Sequence, residues 1–276
     1  TSKLFTPIEV GGIVLPNPNA PTGWKLEKAL FATPTIVLRP LGFGEPLRWL
    51  ALGWRDFLRA PGIGLFYGAC FMVMGWALLE VYERAPAYVL ALAAGFLLMG
   101  PFLCLGLYRV SQGLERGEKP GFGDSLLAFE ARLGPLAIFG FVLLVLEMLW
   151  GRAALVVFAV SFDGMPDFKG SILALFDPEN LGFIVAYFAV GGVFAGLIFA
   201  VSVVSIPMLL DRPVDAVTAG LTSLRLVLSQ PGVMLSWGAI ITVLVVAAML
   251  PWFAGLVVVA PVLGHASWHA YRAAVA

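Results

Sequence analysis

The two histidines of the chain, His265 and His269, lie four residues apart in the stretch VLGHASWHAYR. On an α-helix this spacing places both imidazoles on one face, where they could chelate a divalent metal if two further ligands came from elsewhere. No second HxxxH and no CxxC occurs, and Glu115, Glu118 and Asp211, carboxylates expected at a similar depth, show no recognisable ligand spacing. We therefore expect no cofactor and a structural role for both histidines. His265 is expected to cap or to hydrogen-bond across to a neighbouring helix, and an aromatic and basic anchor is expected at the cytoplasmic interface, formed by Trp268, His269, Tyr271 and Arg272. A metal site, or a contact to lipid or a cofactor, remains as an alternative.

The sequence shows no pattern typical of a haem site, a phosphate loop, a hydrolase nucleophile or a nucleic-acid-binding surface. A haem with both axial ligands from this chain would need histidines on facing helices, and one helix face cannot reach both sides of a porphyrin. The stretch ERGEKPGFG lacks the order of a phosphate loop, and no GxSxG elbow occurs. The net charge is zero, which gives nucleic-acid binding no support. We expect a protein that is not an enzyme.

An acid and a base, Glu147 and Arg152, interrupt the apolar stretch LLVLEMLWGRAALVV. A charge at the centre of a bilayer costs about 2.5–3.5 kcal/mol on insertion scales, so each side chain should face the helix bundle, a partner or water. Counted from Pro135, Glu147 lies about 18 Å along its helix, in the outer half of the membrane. The favoured interpretation is an ion pair at the outer interface. The alternative is a protonatable Glu147 on a proton path.

Composition identifies the elements that must position these residues. Apolar residues make up 60% of the 276 residues, charged residues 12%, and the mean hydropathy is +0.94. Apolar runs of about 20 residues recur, each long enough to cross roughly 30 Å of hydrocarbon as a helix. The pattern predicts an all-α integral membrane protein with six transmembrane helices, at about 62–82, 87–109, 134–154, 182–210, 232–250 and 252–271.

Basic residues predict the orientation of these helices. Six spans place both termini on one side, and only Arg84, Arg152 and Lys169 of the 17 Lys and Arg residues fall in connections on the other side. The positive-inside rule then places both termini in the cytoplasm, with the protein in the inner (plasma) membrane. The N-terminal residues lack a signal-peptide pattern and are expected to begin in the cytoplasm. The least certain boundary is Leu250-Pro251-Trp252, for which a tight hairpin is expected.

Three internal repeats organise the spans. EPLRWLALGWRDFLRAPGIGLFYG (45–68) and VDAVTAGLTSLRLVLSQPGVMLSWG (214–238) share an acidic start, an amphipathic stretch, a Pro-Gly pair and a small-residue entry into a span, and GDSLLAFEARLGPLAIFG (123–140) is a shorter version. Each repeat, at about 45–111, 121–211 and 213–272, is predicted to be an interfacial helix followed by a transmembrane hairpin. The apolar stripes of the first and third interfacial helices are Leu47, Leu50, Trp54 and Phe57, and Val214, Val217, Leu221, Leu224 and Leu228.

The second helix of each hairpin carries a proline, Pro101, Pro207 or Pro261. Such kinks could shape a compact bundle, which we favour, or line a common cavity in a small transporter. Small-xxx-small pairs, expected to pack helices closely, occur at Gly64 and Gly68 and at Gly192 and Gly196.

Three stretches carry a family resemblance: RPLGFGEPLRWLALGWRDF, AGFLLMGPFLCLGLYRVSQGLERGEKP and GHASWHAYR. They resemble a bacterial family of predicted integral membrane proteins of unknown function, whose members are sometimes labelled cytochrome c oxidase subunit I-like. The resemblance covers about residues 35–276 and implies a membrane domain, membrane location and association with respiratory complexes. It implies no active-site residue, and two neighbouring histidines cannot supply an oxidase centre.

Residues 1–34 lie outside this resemblance and form an N-terminal tail that is expected to be extended. They contain five prolines and show no helical or strand periodicity. Ordering such a tail needs a surface, because backbone ordering costs about 1–2 kcal/mol per residue. We expect the tail to run across a neighbouring subunit through Phe5, Ile8, Ile13, Leu15 and Trp24.

Together these features predict a non-catalytic accessory or assembly subunit of a larger inner-membrane bioenergetic complex, of the respiratory type. Its partners would be membrane lipid and other integral membrane subunits. The alternative function is a small transporter or channel lined by the proline-kinked helices.

Overall fold

The computed structural model describes residues 8–10, 13–15, 36–85, 88–161 and 181–276, with the backbone alone at 8–10, 13–15, 89–91 and 131. The chain divides into two units, residues 1–37 and residues 38–276. In the first unit, β1 (Ile8–Val10) pairs antiparallel with β2 (Ile13–Leu15), so that Val10 lies opposite Ile13. No strand was expected in the tail. The sequence signal for one was the Gly11-Gly12 pair between two β-branched runs.

The regular elements of the second unit are helices, and an isolated antiparallel β-bridge joins Leu38 to Val275. Its α-helices are α1 (Glu45–Arg59), α2 (Pro61–Arg84), α3 (Val89–Glu115), α4 (Phe122–Leu126), α5 (Leu133–Ser161), α6 (Leu181–Ser202), α7 (Ser205–Asp211), α8 (Ala216–Ser229), α9 (Pro231–Met249) and α10 (Leu256–Ala274). A single 3₁₀ turn, Glu130–Arg132, precedes α5.

Five helical segments within the described residues are long and apolar enough to cross a membrane. They are α2, α3 from Leu92 onward, α5, the α6–α7 segment Leu181–Asp211, and α9. The chain is therefore a multi-pass integral membrane protein. The sixth predicted span, 252–271, is not among the five. Its helix α10 carries His265, His269 and Arg272 in its second half, which lowers its overall hydropathy.

Helix α10 occupies the core of this unit. Most of its residues from Pro261 to Tyr271 are buried, and it packs against α1, α2 and α3. The approach to α1 is backbone to backbone: a Cβ added at Gly53 would lie 2.5 Å from the carbonyl oxygen of Val262 and 2.7 Å from the amide nitrogen of Ala266. Protein rather than solvent or lipid thus covers the least apolar of the long helices.

The expected break between α9 and α10 is confirmed. Helix α9 ends at Met249, α10 begins at Leu256, and Trp252 and Phe253 both have positive φ, 53° and 62°. The Trp76 indole donates a hydrogen bond of 2.7 Å to the Trp252 carbonyl oxygen. That bond ties the turn to α2.

Two helix junctions have the same backbone geometry. Helix α1 passes into α2 at Ala60 (φ −134°, ψ 55°), and α8 passes into α9 at Gln230 (φ −136°, ψ 57°). In both places a proline, Pro61 or Pro231, opens the following helix, where the missing N–H costs nothing.

The helices α1 and α8 also bury matching positions. At a constant separation in sequence, Pro46, Trp49, Gly53 and Asp56 in α1 correspond to Ala216, Ala219, Ser223 and Leu226 in α8, and all eight are buried. The predicted apolar stripes lie beside these buried faces and are mostly exposed, as at Leu47 and Val217. The middle counterpart differs, since α4 and the 3₁₀ turn replace a continuous helix.

The three predicted proline kinks do not share one position in their helices. Pro101 and Pro261 lie inside α3 and α10, whereas Pro207 lies in α7, just after the chain leaves helical geometry between α6 and α7.

The two small-residue pairs differ in what surrounds them. A Cβ at Gly64 would overlap the Phe57 ring, and a Cβ at Gly68 would overlap the Val257 backbone, so both glycines are closely packed. Nothing in the described part of the chain lies within 4 Å of a Cβ at Gly192 or Gly196, so the close packing expected there stays a prediction.

Candidate functional site

The C-terminal half of α10 holds the densest group of polar side chains in the described residues. His269 is 8% exposed, and its Nε2 lies 2.7 Å from Oδ2 of Asp56, which is 2% exposed. Its Nδ1 lies 3.8 Å from Oε1 of Glu115 on α3. The second oxygen of Glu115 pairs with Nε of Arg272 at 3.2 Å. One histidine therefore joins α1, α3 and α10.

Asp56 is the residue of this group that sequence reasoning missed. It lies 213 residues before His269 in sequence, so no local spacing connects the two. Burial of its carboxylate acts to raise the pKa of Asp56. The hydrogen bonds of His269 and Ser111 and the charges of His269 and His265 together outweigh that effect and lower the pKa of Asp56 below its usual value. The arrangement favours a carboxylate held next to the imidazole.

A second chain of hydrogen bonds continues from the same helix. The Tyr271 hydroxyl donates to Oδ2 of Asp211 at 2.7 Å and accepts from Nε of Arg212 at 2.9 Å. The side-chain nitrogen Nε2 of Gln112 donates to Oδ1 of Asp211 at 2.9 Å, and Nη1 of Arg109 donates to the side-chain oxygen Oε1 of Gln112 at 2.8 Å. These contacts join α3, α7 and α10, and both oxygens of Asp211 are satisfied.

His265 faces a different neighbour. Its Nδ1 lies 2.8 Å from the Ser111 hydroxyl on α3, and both residues are fully buried. Its Nε2 is buried and has no hydrogen-bond partner in the described part of the chain. The expected contact of His265 across to a neighbouring helix is therefore present. A serine beside a histidine is also the start of a nucleophilic pair, but two side chains without exposed surface leave no path for a substrate.

The aromatic residues near these histidines do not form the expected interfacial anchor. Trp268 and Tyr271 have no exposed surface, and their rings pack edge to face with centroids 5.5 Å apart. Of the anchor set, Arg272 alone is exposed. Because α10 lies in the core, these side chains pack against protein instead of lipid head groups.

The donor geometry does not assemble a metal centre. Among residues 36–85, 88–161 and 181–276, no group of three or more His, Cys, Asp or Glu side chains is arranged to hold an ion. His265 and His269 share a helix face but turn to separate partners, Ser111 and Asp56. The geometry is that of a polar network tying helix ends together.

Glu147 lies apart from this network. It is the central residue of the 29-residue helix α5, about 21 Å from either end at about 1.5 Å per residue, and its expected depth in the outer half of the membrane stays a prediction. Its side chain is 6% exposed, and Oε2 has no hydrogen-bond partner among the described residues. Arg152 is exposed, and within the described residues no ion pair joins it to Glu147. Five residues of helix turn the two side chains to different faces.

The tail residues expected to bind a partner lie mostly beyond what the structure describes. Phe5 and Trp24 fall outside the described residues. Ile8, Ile13 and Leu15 belong to the β1–β2 hairpin, of which the backbone alone is described.

The comparisons with known proteins agree with the membrane fold over part of the chain. Residues 89–211 match a family described as predicted integral membrane protein (DUF2189). This match is shorter than the expected range 35–276 and includes the middle one of the three resembling stretches. No curated protein and no solved structure matches the chain. Nothing in these findings carries the label cytochrome c oxidase subunit I-like, so what is established is similarity to a family of integral membrane proteins over α3 to α7.

Proposed function

We propose that the chain is a non-catalytic accessory or assembly subunit of a larger inner-membrane complex, acting through helix packing and a partner-binding tail. The observation that carries this proposal is a line of small residues on α6, here called the α6 seam: Gly182, Ala189, Gly192 and Gly196. All four are exposed, and no described atom lies within 4 Å of a Cβ built at any of the three glycines.

The α6 seam has the composition of a helix–helix contact and lacks a described partner helix. Small residues let two backbones approach in a membrane, where packing and not the hydrophobic effect drives association. A face that met lipid alone would gain nothing from glycine, which costs about 1 kcal/mol relative to alanine in a helix interior. A transmembrane helix of another subunit is therefore the proposed occupant.

The six-span arrangement belongs to the same proposal. Helix α10, 19 residues long, is the proposed sixth span. Its polar residues are tolerable at membrane depth because protein covers them and other helices supply their hydrogen bonds. Six spans with the basic bias of the sequence place both termini in the cytoplasm.

The three-repeat arrangement is supported by shared local structure. Helices α1 and α8 share buried positions and the same exit geometry. In addition, α2, α5 and α9 each carry a buried aromatic residue followed by glycine in their second turn: Tyr67-Gly68, Phe139-Gly140 and Trp237-Gly238. We propose that each unit is an interfacial helix followed by a hairpin, with the middle interfacial helix shortened.

Apolar grooves on the outside of the bundle suit lipid or partner helices better than a polar substrate. A groove of about 410 Å³ runs along α1 and α10, lined by residues such as Leu47, Trp54 and Val258. Another of about 480 Å³ lies between α2 and α3, next to Cys70 and Met99. In this proposal they hold acyl chains or neighbouring helices.

The tail is proposed to extend this assembly role on the cytoplasmic side, with Phe5, Ile8, Ile13, Leu15 and Trp24 as contacts. A respiratory-type complex is the partner that the sequence resemblance implies. Deleting residues 2–23 is expected to leave the helices inserted and to weaken co-purification with that complex.

The test of the α6 seam is the size of the native particle. Extracted in its native lipids, the protein is expected to migrate with other integral membrane proteins, and Gly192→Leu with Gly196→Leu should reduce that association at least tenfold. Gly134→Leu, which changes an exposed and unpacked glycine near the start of α5, outside the seam and the grooves, is the control. Equal association in both variants would refute the seam as the contact.

One observation favours a second function, a small transporter or channel. Glu147 is a buried carboxyl in the middle of a transmembrane helix without a described cation, and such groups are often part of ion or proton paths. Proton flux into vesicles containing the purified protein, lost in Glu147→Gln, would favour this function. No flux above that of empty vesicles would count against it.

A further inference from the structure

A basic cavity lies beside the polar network, outside the proposed helix contacts. Its volume is about 330 Å³, and it is formed by residues 39–41, the first half of α1 and the end of α10. Five of the lining side chains carry N–H donors or a titratable imidazole: Arg39, Arg48, Trp49, His269 and Arg272. Glu45 is the single acidic lining residue.

The backbone that carries Arg39 is fixed on both sides. The amide of Arg39 donates to the Ala274 carbonyl at 2.9 Å, and the side-chain amide of Gln230 donates to the Arg39 carbonyl at 3.0 Å. The same Gln230 side chain accepts from the amide of Leu41 at 2.6 Å. Residues 39–41 are thus held against the ends of α8 and α10, which pre-organises the rim of the cavity.

Hydrogen-bond donors outnumber acceptors around the cavity. Arg48 pairs with Glu45 at 3.2 Å, and Arg272 pairs with Glu115 at 3.2 Å. Arg39 has no carboxylate partner within the described residues. Since Asp56 is engaged with His269, the nearby carboxylates leave the Arg39 guanidinium free for an acceptor-rich ligand.

We propose that this cavity binds a phosphate group, carried either by the head group of an anionic phospholipid or by a soluble phosphate. A guanidinium matches the geometry of phosphate oxygens and pairs with two of them at once. The cavity opens beside α1, whose exposed Leu47 and Trp54 suit the membrane interface, and anionic head groups gather at basic residues on the cytoplasmic side.

The experiment uses full-length protein in phosphatidylcholine nanodiscs, with two probes. The first is phosphatidylglycerol, added in increasing fractions, and the second is inorganic phosphate in solution. Arg39→Gln is expected to weaken binding of the true ligand class by about tenfold or more, since it removes a charge-assisted hydrogen bond. Arg39 is exposed, so its replacement leaves the packing intact.

The matched control is Arg225→Gln, an exposed arginine on α8 that removes the same charge outside the cavity. It should change affinity by less than about twofold, because Arg225 does not line the cavity and the interaction of an exposed charge with a ligand it does not touch is weakened by water and salt. Arg39-dependent binding of phosphatidylglycerol that phosphate does not displace identifies a lipid head group. Arg39-dependent binding of inorganic phosphate identifies a soluble ligand. Equal effects of the two variants, or no binding of either probe, would overturn the proposal.

Discussion

The close contact between α1 and α10 predicts that adding one methyl group at Gly53 destabilises the folded chain. In Gly53→Ala the new Cβ would lie 2.5 Å from the Val262 carbonyl oxygen and 2.9 Å from the Ala266 Cβ. Ordinary contact begins at 3.4 Å, and the nearest obstacle is backbone, so the two helices must part by several tenths of an ångström. Overpacking of this kind costs typically about 1–3 kcal/mol.

Alanine also has a better helix propensity than glycine by about 1 kcal/mol, which would hide part of that cost. Gly192→Ala is the control, because it gains the same propensity at a position with nothing described within 4 Å. The difference between the two variants therefore isolates the packing cost, about 1–3 kcal/mol.

The assay is unfolding by sodium dodecyl sulfate in mixed micelles, followed by tryptophan fluorescence on the purified single chain. Gly53→Ala should unfold at a lower detergent fraction than Gly192→Ala. Equal stability of the two variants within about 0.5 kcal/mol would refute the backbone contact between α1 and α10.

Three further predictions follow from the polar residues and the proposed topology. The pKa of Asp56 is lowered in the folded protein, so its carboxylate stabilises the fold at pH values above its ordinary pKa of 3.8, and this stabilisation is lost as the pH falls through the folded pKa. Asp56→Asn should therefore lose less stability on acidification than the wild type. The same acid profile in both proteins would contradict this. Glu147→Leu should raise the free energy of unfolding in detergent by about 1–3 kcal/mol, because it removes a buried carboxyl whose Oε2 has no described hydrogen-bond partner. A lower free energy of unfolding would contradict this and would indicate that Glu147 has a partner outside the described residues. Cysteines placed at Arg116 and Trp252 should react with an impermeant reagent from the cytoplasmic and the periplasmic side respectively, and the reverse pattern contradicts the orientation.

The sequence predicted the helices well where hydropathy was uniform. Five predicted spans correspond to long apolar helical segments, and the Pro-Gly pairs at Pro61 and Pro231 mark the starts of α2 and α9. The break near Pro251 was also predicted, since the largely apolar stretch 233–271 is about twice the length of a single crossing. These signals are local, so they can be read without knowing the tertiary structure.

The candidate site could be predicted in part. Two histidines at helical spacing indicated one face of α10, and a contact from His265 to another helix was expected. The Asp56 partner of His269 could not be found, because nothing in a single sequence joins residues that are distant along the chain. The burial of α10 was missed for the same reason, and the interfacial anchor at Trp268 and Tyr271 was consequently wrong.

The glycine pairs show the limit of motif reading. Gly64 and Gly68 pack closely, while Gly192 and Gly196 have the same spacing and no described neighbour. Spacing indicates that a close contact is possible but does not identify its partner. The β1–β2 hairpin is the opposite case. A turn signal, the Gly-Gly pair, is present in the sequence, but the proline content of the tail favoured an extended segment without strands.

The most direct test of the assembly proposal is the mass of the particle extracted from its own membrane in native lipid discs, without overexpression. The account predicts a particle clearly larger than one 29.5-kDa chain with its lipids, containing other integral membrane proteins, and a shift to the single chain in the Gly192→Leu, Gly196→Leu variant. A wild-type particle with the mass of one chain and lipid alone would contradict it.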